Sequence, residues 1–245
     1  MAKVYDKFPV LTGKDPDVRA RRYLTPTRIV WTSRDDGADV RGEEALLLAR
    51  DEQISFGNMP FCRLKNRPGQ AKASILLDYG TELNGTVRLL VRQVSSPNAN
   101  RANLRIRFGE SVMEAMTDLG VKNTTNDHAN RDMVINVGFF SGTETNESGF
   151  RFVRIDLLDD EAEVLIKSVN ATFIFRDLDY LGSFECSDPL LTKIWDTAAY
   201  TAHLNMQEYL WDAVSTPKAK NLSSMARWKP ASTSLVVKVH GLHFG

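Results

Sequence analysis

Through the middle of the chain, apolar and polar residues alternate in short runs broken by glycine, proline and asparagine, the period of half-buried strands. Leu104, Ile106 and Phe108 alternate with Arg105 and Arg107, so the three apolar side chains share one face. Val153, Ile155 and Leu157 do the same within Phe150–Leu157. Further strands are predicted at Thr27–Thr32 after Pro26, at Ala73–Tyr79 ending at Gly80, and at Thr86–Arg92 opened by Gly85. Others fall at Met133–Val137 before Gly138 and within Val164–Arg176. Strands separated by turns, with almost no helical period between them, indicate a mainly β fold built as an antiparallel β-sandwich. Its expected core is Leu76, Val87, Leu89, Ile106, Phe108, Val153, Ile155 and Phe173. The exception is Ser111–Leu119, read as a short helical or turn insertion before Gly120.

The period changes after Cys186. Asp188 suits a helix N-cap and Pro189 the first helical position. Leu191, Ile194, Trp195, Ala198, Ala202, Asn205, Met206 and Tyr209 follow at helical spacing, which predicts one long amphipathic α-helix with a mainly apolar face. The organisation read from these patterns is an N-terminal extension over 1–24, then a sandwich of jelly-roll or concanavalin-like kind over 25–180. A linker and helix occupy 181–212, and a tail 213–245. No strong helix follows the first, so its apolar face must cover the sandwich or stay exposed. Exposure of that kind favours self-association.

Composition narrows the classes of function. The chain has 245 residues, 31 basic and 31 acidic side chains, and 42% hydrophobic residues. This is globular composition, and a net charge of zero argues against a chain devoted to gripping nucleic acid or anionic membrane. The two cysteines, Cys62 and Cys186, form no CxxC and no disulfide framework, and are read as two buried thiols. No apolar run approaches the roughly 18 residues of a spanning helix. The start, Met1–Lys7, has no apolar stretch of the kind a secretory signal carries, and the compartment stays open. Residues 213–245 contain Lys218, Lys220, Arg227, Lys229 and Lys238 but no acid. That stretch reads as a solvated basic tail, an arm for an anionic partner, or a segment foreign to the domain.

The chemistry is thin. Asn123–Asp132 is the most polar loop, and Asp127, His128, Asp132 and Glu110 are conceivable metal ligands. Their spacing matches no established metal loop, so loop-stabilising hydrogen bonds are the leading reading and carbohydrate or interdomain contact the second. Gly80–Gly85 lacks the Lys-Ser/Thr of a phosphate loop, and no GxSxG is present. No cofactor is called for. Trp31 and Tyr79 can stack on sugar rings if exposed, although a core role is the leading reading for both.

Four segments together resemble bacterial α-L-rhamnosidases of glycoside hydrolase family 78. They are Leu77-Asp78-Tyr79-Gly80-Thr81-Glu82-Leu83-Asn84-Gly85, Arg107-Phe108-Gly109-Glu110-Ser111, Gly149-Phe150-Arg151-Phe152-Val153-Arg154, and Gly182-Ser183-Phe184-Glu185-Cys186-Ser187-Asp188-Pro189-Leu190-Leu191-Thr192-Lys193-Ile194-Trp195. The resemblance runs over roughly residues 25–212. It implies that the sandwich is the accessory domain before the catalytic part, and that the helix from Asp188 begins an (α/α)6 barrel. It implies rhamnose-containing glycans as partners. It also aligns Asp212, after Glu208-Tyr209-Leu210-Trp211, with a family aspartate that contacts the sugar.

The resemblance breaks where catalysis is expected to begin. The general acid of the family is expected about five positions after Asp212, where Pro217 stands, and the base much further along the barrel. Inverting glycoside hydrolysis needs two carboxyl groups roughly 6.5–9.5 Å apart. Neither has a candidate here, so the expected catalytic set is empty. A reading-frame shift near residue 213 is one account of both the acid-free tail and the lost motif. Two function classes stay open: the non-catalytic N-terminal part of an α-L-rhamnosidase-like enzyme, and a free-standing carbohydrate-binding or interaction module.

Overall fold

The computed structural model describes residues 17–48, 59–121, 129–207 and 234–235. Ten antiparallel strands form one hydrogen-bonded network. They are β1 (Ala20–Leu24), β2 (Arg28–Thr32), β3 (Asp39–Arg41), β4 (Cys62–Lys65), β5 (Ser74–Ser95), β6 (Ala102–Gly109), β7 (Asp132–Val137), β8 (Ser141–Glu144), β9 (Ser148–Leu157) and β10 (Glu163–Phe175). A short helix, α1 (Val112–Met116), follows β6, and α2 (Pro189–Leu204) closes the described chain apart from a two-residue parallel pairing of Asp179–Tyr180 with Ser234–Leu235. The described residues fall into two compact units, one over Arg21–Ile174 and one formed by residues 17–20 together with those from Phe175 onward.

Strand β5 organises the first unit. Its first half pairs with β2 on one side and β9 on the other. Its second half pairs with β8 and β10. Beyond β9 come β6 and β7; beyond β10 come β4 and β3. The two layers are thus stitched together by one strand of 22 residues. Ile75, Leu77 and Tyr79 from its first half and Val87, Leu89 and Val91 from its second lie in a single buried cluster with Ile106, Phe108, Val153, Ile155, Val164 and Val169. Phe150 stacks on Phe108 with centroids 4.6 Å apart and meets Tyr79 edge-on at 5.8 Å.

The expected break at Gly80–Gly85 is therefore a kink inside one strand. Pairing of β5 with β9 shifts between Asp78 and Leu83. Gly80 sits at φ +88°, in the left-handed region that favours glycine. At Gly85 the constraint is a close approach: an added Cβ would stand 1.9 Å from the Thr172 carbonyl oxygen on β10. The glycines let the strand bend and pass close to its neighbour without ending it.

Most expected elements are present, with differences. Val112–Met116 is helical, with Ser111 Oγ accepting the Glu114 N–H at 3.2 Å. Leu76 is fully buried, but in a small second cluster with Phe152 and Ala115 on the opposite face of the sheet. Phe173 is half-buried against the core. Part of the expected extension is strand β1, paired with β10. Cys62 is buried, and burial pushes its thiol up to about 12. Cys186 is only half-buried, which corrects the reading of two buried thiols: it lies in the irregular 181–187 segment, where no strand or helix encloses it.

In the second unit, Asp188 caps α2 by accepting the Leu190 N–H at 2.9 Å, and Pro189 occupies the first turn. The helix ends at Leu204, with Asn205 as C-cap, short of the periodicity that ran to Tyr209. His203 fastens this end. Its Nε2–H donates to the Arg176 carbonyl at 2.6 Å, and its Nδ1 is hydrogen-bonded to the Tyr180 hydroxyl at 2.9 Å. Leu190, Leu191 and Ile194 stand exposed along one side of the helix. The basic tail over 213–245 lies outside the described residues, apart from the Ser234–Leu235 pairing.

Ile106 is fully buried at the centre of β6. Replacing it by alanine is expected to cost about 2–5 kcal/mol in chemical denaturation. A near-neutral change would place Ile106 outside the core.

Candidate functional site

Among the described residues, polar groups concentrate in three places. The first is the kink of β5. Asp78, only 1% exposed in its side chain, accepts from Arg151 Nε at 2.8 Å and Nη2 at 3.0 Å, and from Arg28 Nε at 2.9 Å. The Gly80 amide donates to the same carboxylate at 2.7 Å. Burial alone would raise this acid, but the Arg151 bonds, the Gly80 amide and Arg28 outweigh burial and hold it at about 2. Tyr79 donates its hydroxyl to the Val169 carbonyl at 2.9 Å, and burial raises its phenol. These groups are consumed by structure, which settles Tyr79 as a core residue. Trp31 is half-buried against the Leu76 cluster, with the Arg154 guanidinium 5.5 Å from its ring.

The second is a cluster at the start of α1. Glu114, three residues after the Ser111 cap, returns its carboxylate to the Glu110 amide at 2.8 Å, the reciprocal arrangement of a capping box. Arg131 is buried beside it, its Nη1 donating to the Glu114 carbonyl. Glu82, half-buried on β5, is pushed up to about 7 by burial and then by the charges of Glu110 and Glu114. Asp132 is committed to a two-pronged pair with Arg105. Of the four conceivable metal ligands, Asp132 is taken up by Arg105 and Glu110 is exposed with its amide bound by Glu114, while Asp127 and His128 lie outside the described residues.

The third is a cleft of about 570 Å³ beside β3, lined by Arg34, Asp39, Arg41, Glu43, Arg67 and Gln70 among others. Asp39 is its anchor. It accepts from Arg63 Nη2 at 2.7 and 2.9 Å, from Arg41 Nε at 2.9 Å and from Arg67 Nη2 at 3.4 Å. Burial would raise its carboxyl, but Arg63 and then Arg41 outweigh burial and hold it below the ordinary value. Arg34 bridges Glu43 and the Val40 carbonyl. Three arginines face three acids in this lining, so the cleft is electrically balanced while holding donors and acceptors in fixed positions. That suits a neutral polyhydroxylated ligand better than an ion. No nucleophile with an adjacent base lines it. Sequence reasoning missed this cleft because its residues fall in short polar segments between strands. Asp212, the one site residue carried over by resemblance, lies outside the described residues.

Compared by sequence, the chain matches no family model and no curated protein. Compared by structure, it is similar to a rhamnosidase from Klebsiella oxytoca with rhamnose bound, at 17% identity and a TM-score of 0.54, covering 80% of this chain and 37% of that one. A GH78 family rhamnosidase of Bacillus sp. GL1 matches at 18% identity and a TM-score of 0.49, over 70% of this chain and 16% of that one. The CBM32 of AlyQ, in complex with 4,5-unsaturated mannuronic acid, matches at 12% identity and a TM-score of 0.36, over 61% and 97%. At these identities the likeness is one of fold. The chain spans little more than a third of the Klebsiella protein. The class the fold defines is a mainly β antiparallel sandwich with a C-terminal α-helix.

The raised value of Glu82 has a consequence for stability. Folding favours its protonated form, so the penalty is absent below the ordinary 4.5 and grows as pH rises to about 7. Glu82→Gln is expected to raise the melting temperature at pH 8 and leave it unchanged at pH 4. An equal gain at both pH values would contradict the assignment.

Proposed function

We propose that this chain is the accessory sandwich and first barrel helix of an α-L-rhamnosidase-like glycoside hydrolase, an enzyme class that removes terminal α-L-rhamnose from glycans or glycosides. The observation that carries the reading is the fold match to the Klebsiella rhamnosidase over 80% of the chain. The four motif segments support it. So does the exposed side of α2, where Leu190, Leu191 and Ile194 lack the packing that a helical domain supplies. The same side is the proposed route of self-association when such packing is missing. The domain bounds 25–180 and 181–212, and a sugar contact at Asp212, belong to this reading.

A second reading, a free-standing carbohydrate-binding module, is favoured by the charge-balanced cleft beside β3. The gene decides between them. A coding sequence for further barrel helices, in frame or in a shifted frame after the Asp212 codon, supports the hydrolase reading. Its absence, together with glycan binding by the chain, supports the module.

In either case the 245-residue chain is expected to release no aryl group from an aryl α-L-rhamnoside above a buffer control, because Pro217 stands where the resemblance expects the general acid and residues 213–245 contain no Asp or Glu. Turnover that disappears in Asp212→Ala would overturn this.

A further inference from the structure

The turn between β7 and β8 carries a feature that neither the motifs nor the cleft explains. Phe139 is 56% exposed at its tip. Phe140 follows at φ +55°, in the left-handed region, where a bulky side chain is a genuine outlier. The two rings stand 5.3 Å apart, tilted by 44°. The Arg92 guanidinium lies 5.7 Å from the Phe139 centroid and 5.1 Å from that of Phe140, backing both rings. The turn is fastened by Ser141 Oγ, which donates to the Gly138 carbonyl at 2.9 Å and accepts the Gly138 amide at 3.2 Å. Strain of this kind persists only where its surroundings impose it, and it gathers at ligand sites.

Arg101 flanks the same turn. An added Cβ on Gly138 would stand 3.4 Å from Arg101 Nη1, so the glycine leaves room for the guanidinium at the residue before Phe139. Arg101 Nε donates to Asn136 Oδ1, and the residue is exposed to solvent. Between Glu82 and Glu110 the chain has no acid, and Met133–Thr143 has none either. This end of the sandwich thus combines an exposed aromatic face, held from behind by one arginine, with a second arginine at its side.

We propose that the Phe139–Phe140 turn is a glycan-binding platform that takes an acidic pyranoside. The weakly positive C–H face of the sugar ring stacks on the π face of Phe139, and the uronate carboxylate pairs with the Arg101 guanidinium. The assignment rests on the carbohydrate-directed reading above and adds a position and a ligand class to it.

Affinity electrophoresis of the full chain tests it, with pectic rhamnogalacturonan as the probe and its carboxyl-reduced form as the neutral control. The native polymer is expected to retard the wild-type chain. Phe139→Ala is expected to weaken that binding at least tenfold and Arg101→Gln at least fivefold, both with unchanged melting temperature. Carboxyl reduction should weaken wild-type binding by a factor similar to Arg101→Gln. Retention of wild-type affinity by both variants overturns the platform and leaves carbohydrate binding elsewhere intact. Equal retardation by the reduced polymer overturns the acidic ligand class. No retardation of the wild-type chain by either polymer removes the platform together with the reading on which it rests.

Discussion

The Asp78 carboxylate is the constraint on which the sandwich depends. It sits where β5 leaves one layer for the other, and four protein groups converge on it: two nitrogens of Arg151, Nε of Arg28 and the Gly80 amide. A strand that changes partners mid-course must leave part of its ladder unmade, and buried backbone groups need other partners there. Asp78 supplies them on both sides: its carboxylate takes the Gly80 amide, and its carbonyl oxygen takes the amide and hydroxyl of Thr27, at 2.8 and 2.9 Å. The charge-assisted bonds also tie β9 and β2 to the kink, since Arg151 and Arg28 belong to those strands. One acid therefore fastens three strands at the point where the two layers join.

That geometry gives a physical meaning to the motifs that resemble rhamnosidases. Asp78, Gly80 and Gly85 shape the kink, while Tyr79 and Phe150 fill the core beneath it. Arg151 answers Asp78. Phe108 stacks on Phe150, and Ser111 caps α1. In the fourth segment, Asp188 and Pro189 start α2, and Phe184 packs against Trp195 at 5.9 Å between centroids. The segments are those that build the joint and the helix entry.

Where burial is one-sided, the strands were legible in the sequence. Leu104, Ile106 and Phe108, or Val153, Ile155 and Leu157, alternate because one face meets the core. The strands β3 and β8 escaped notice because Asp-Val-Arg and Ser-Gly-Thr-Glu are short and carry almost no apolar pattern. β5 was divided in two because glycine marks both turns and kinks, and only the pairing of both halves distinguishes them. The helix was read past its end, since Met206 keeps the period after Asn205 has taken the C-cap. Phe139 and Arg92 are far apart in sequence, and no local pattern announces that a turn and a strand meet. The cleft is equally nonlocal, assembled from β3, its flanking turns and the segment after β4.

If β5 joins the layers as described, they cannot open separately. Native-state hydrogen exchange measures this directly, amide by amide, in low denaturant. The backbone amides of Leu77, which face β9 and β2, and of Leu89, which lie between β8 and β10, are expected to exchange only through global unfolding, with the same free energy and the same denaturant dependence. Exchange of one half of β5 at a markedly lower free energy than the other would contradict the account, because the layers would then open independently and the kink would be a hinge between two separate sheets.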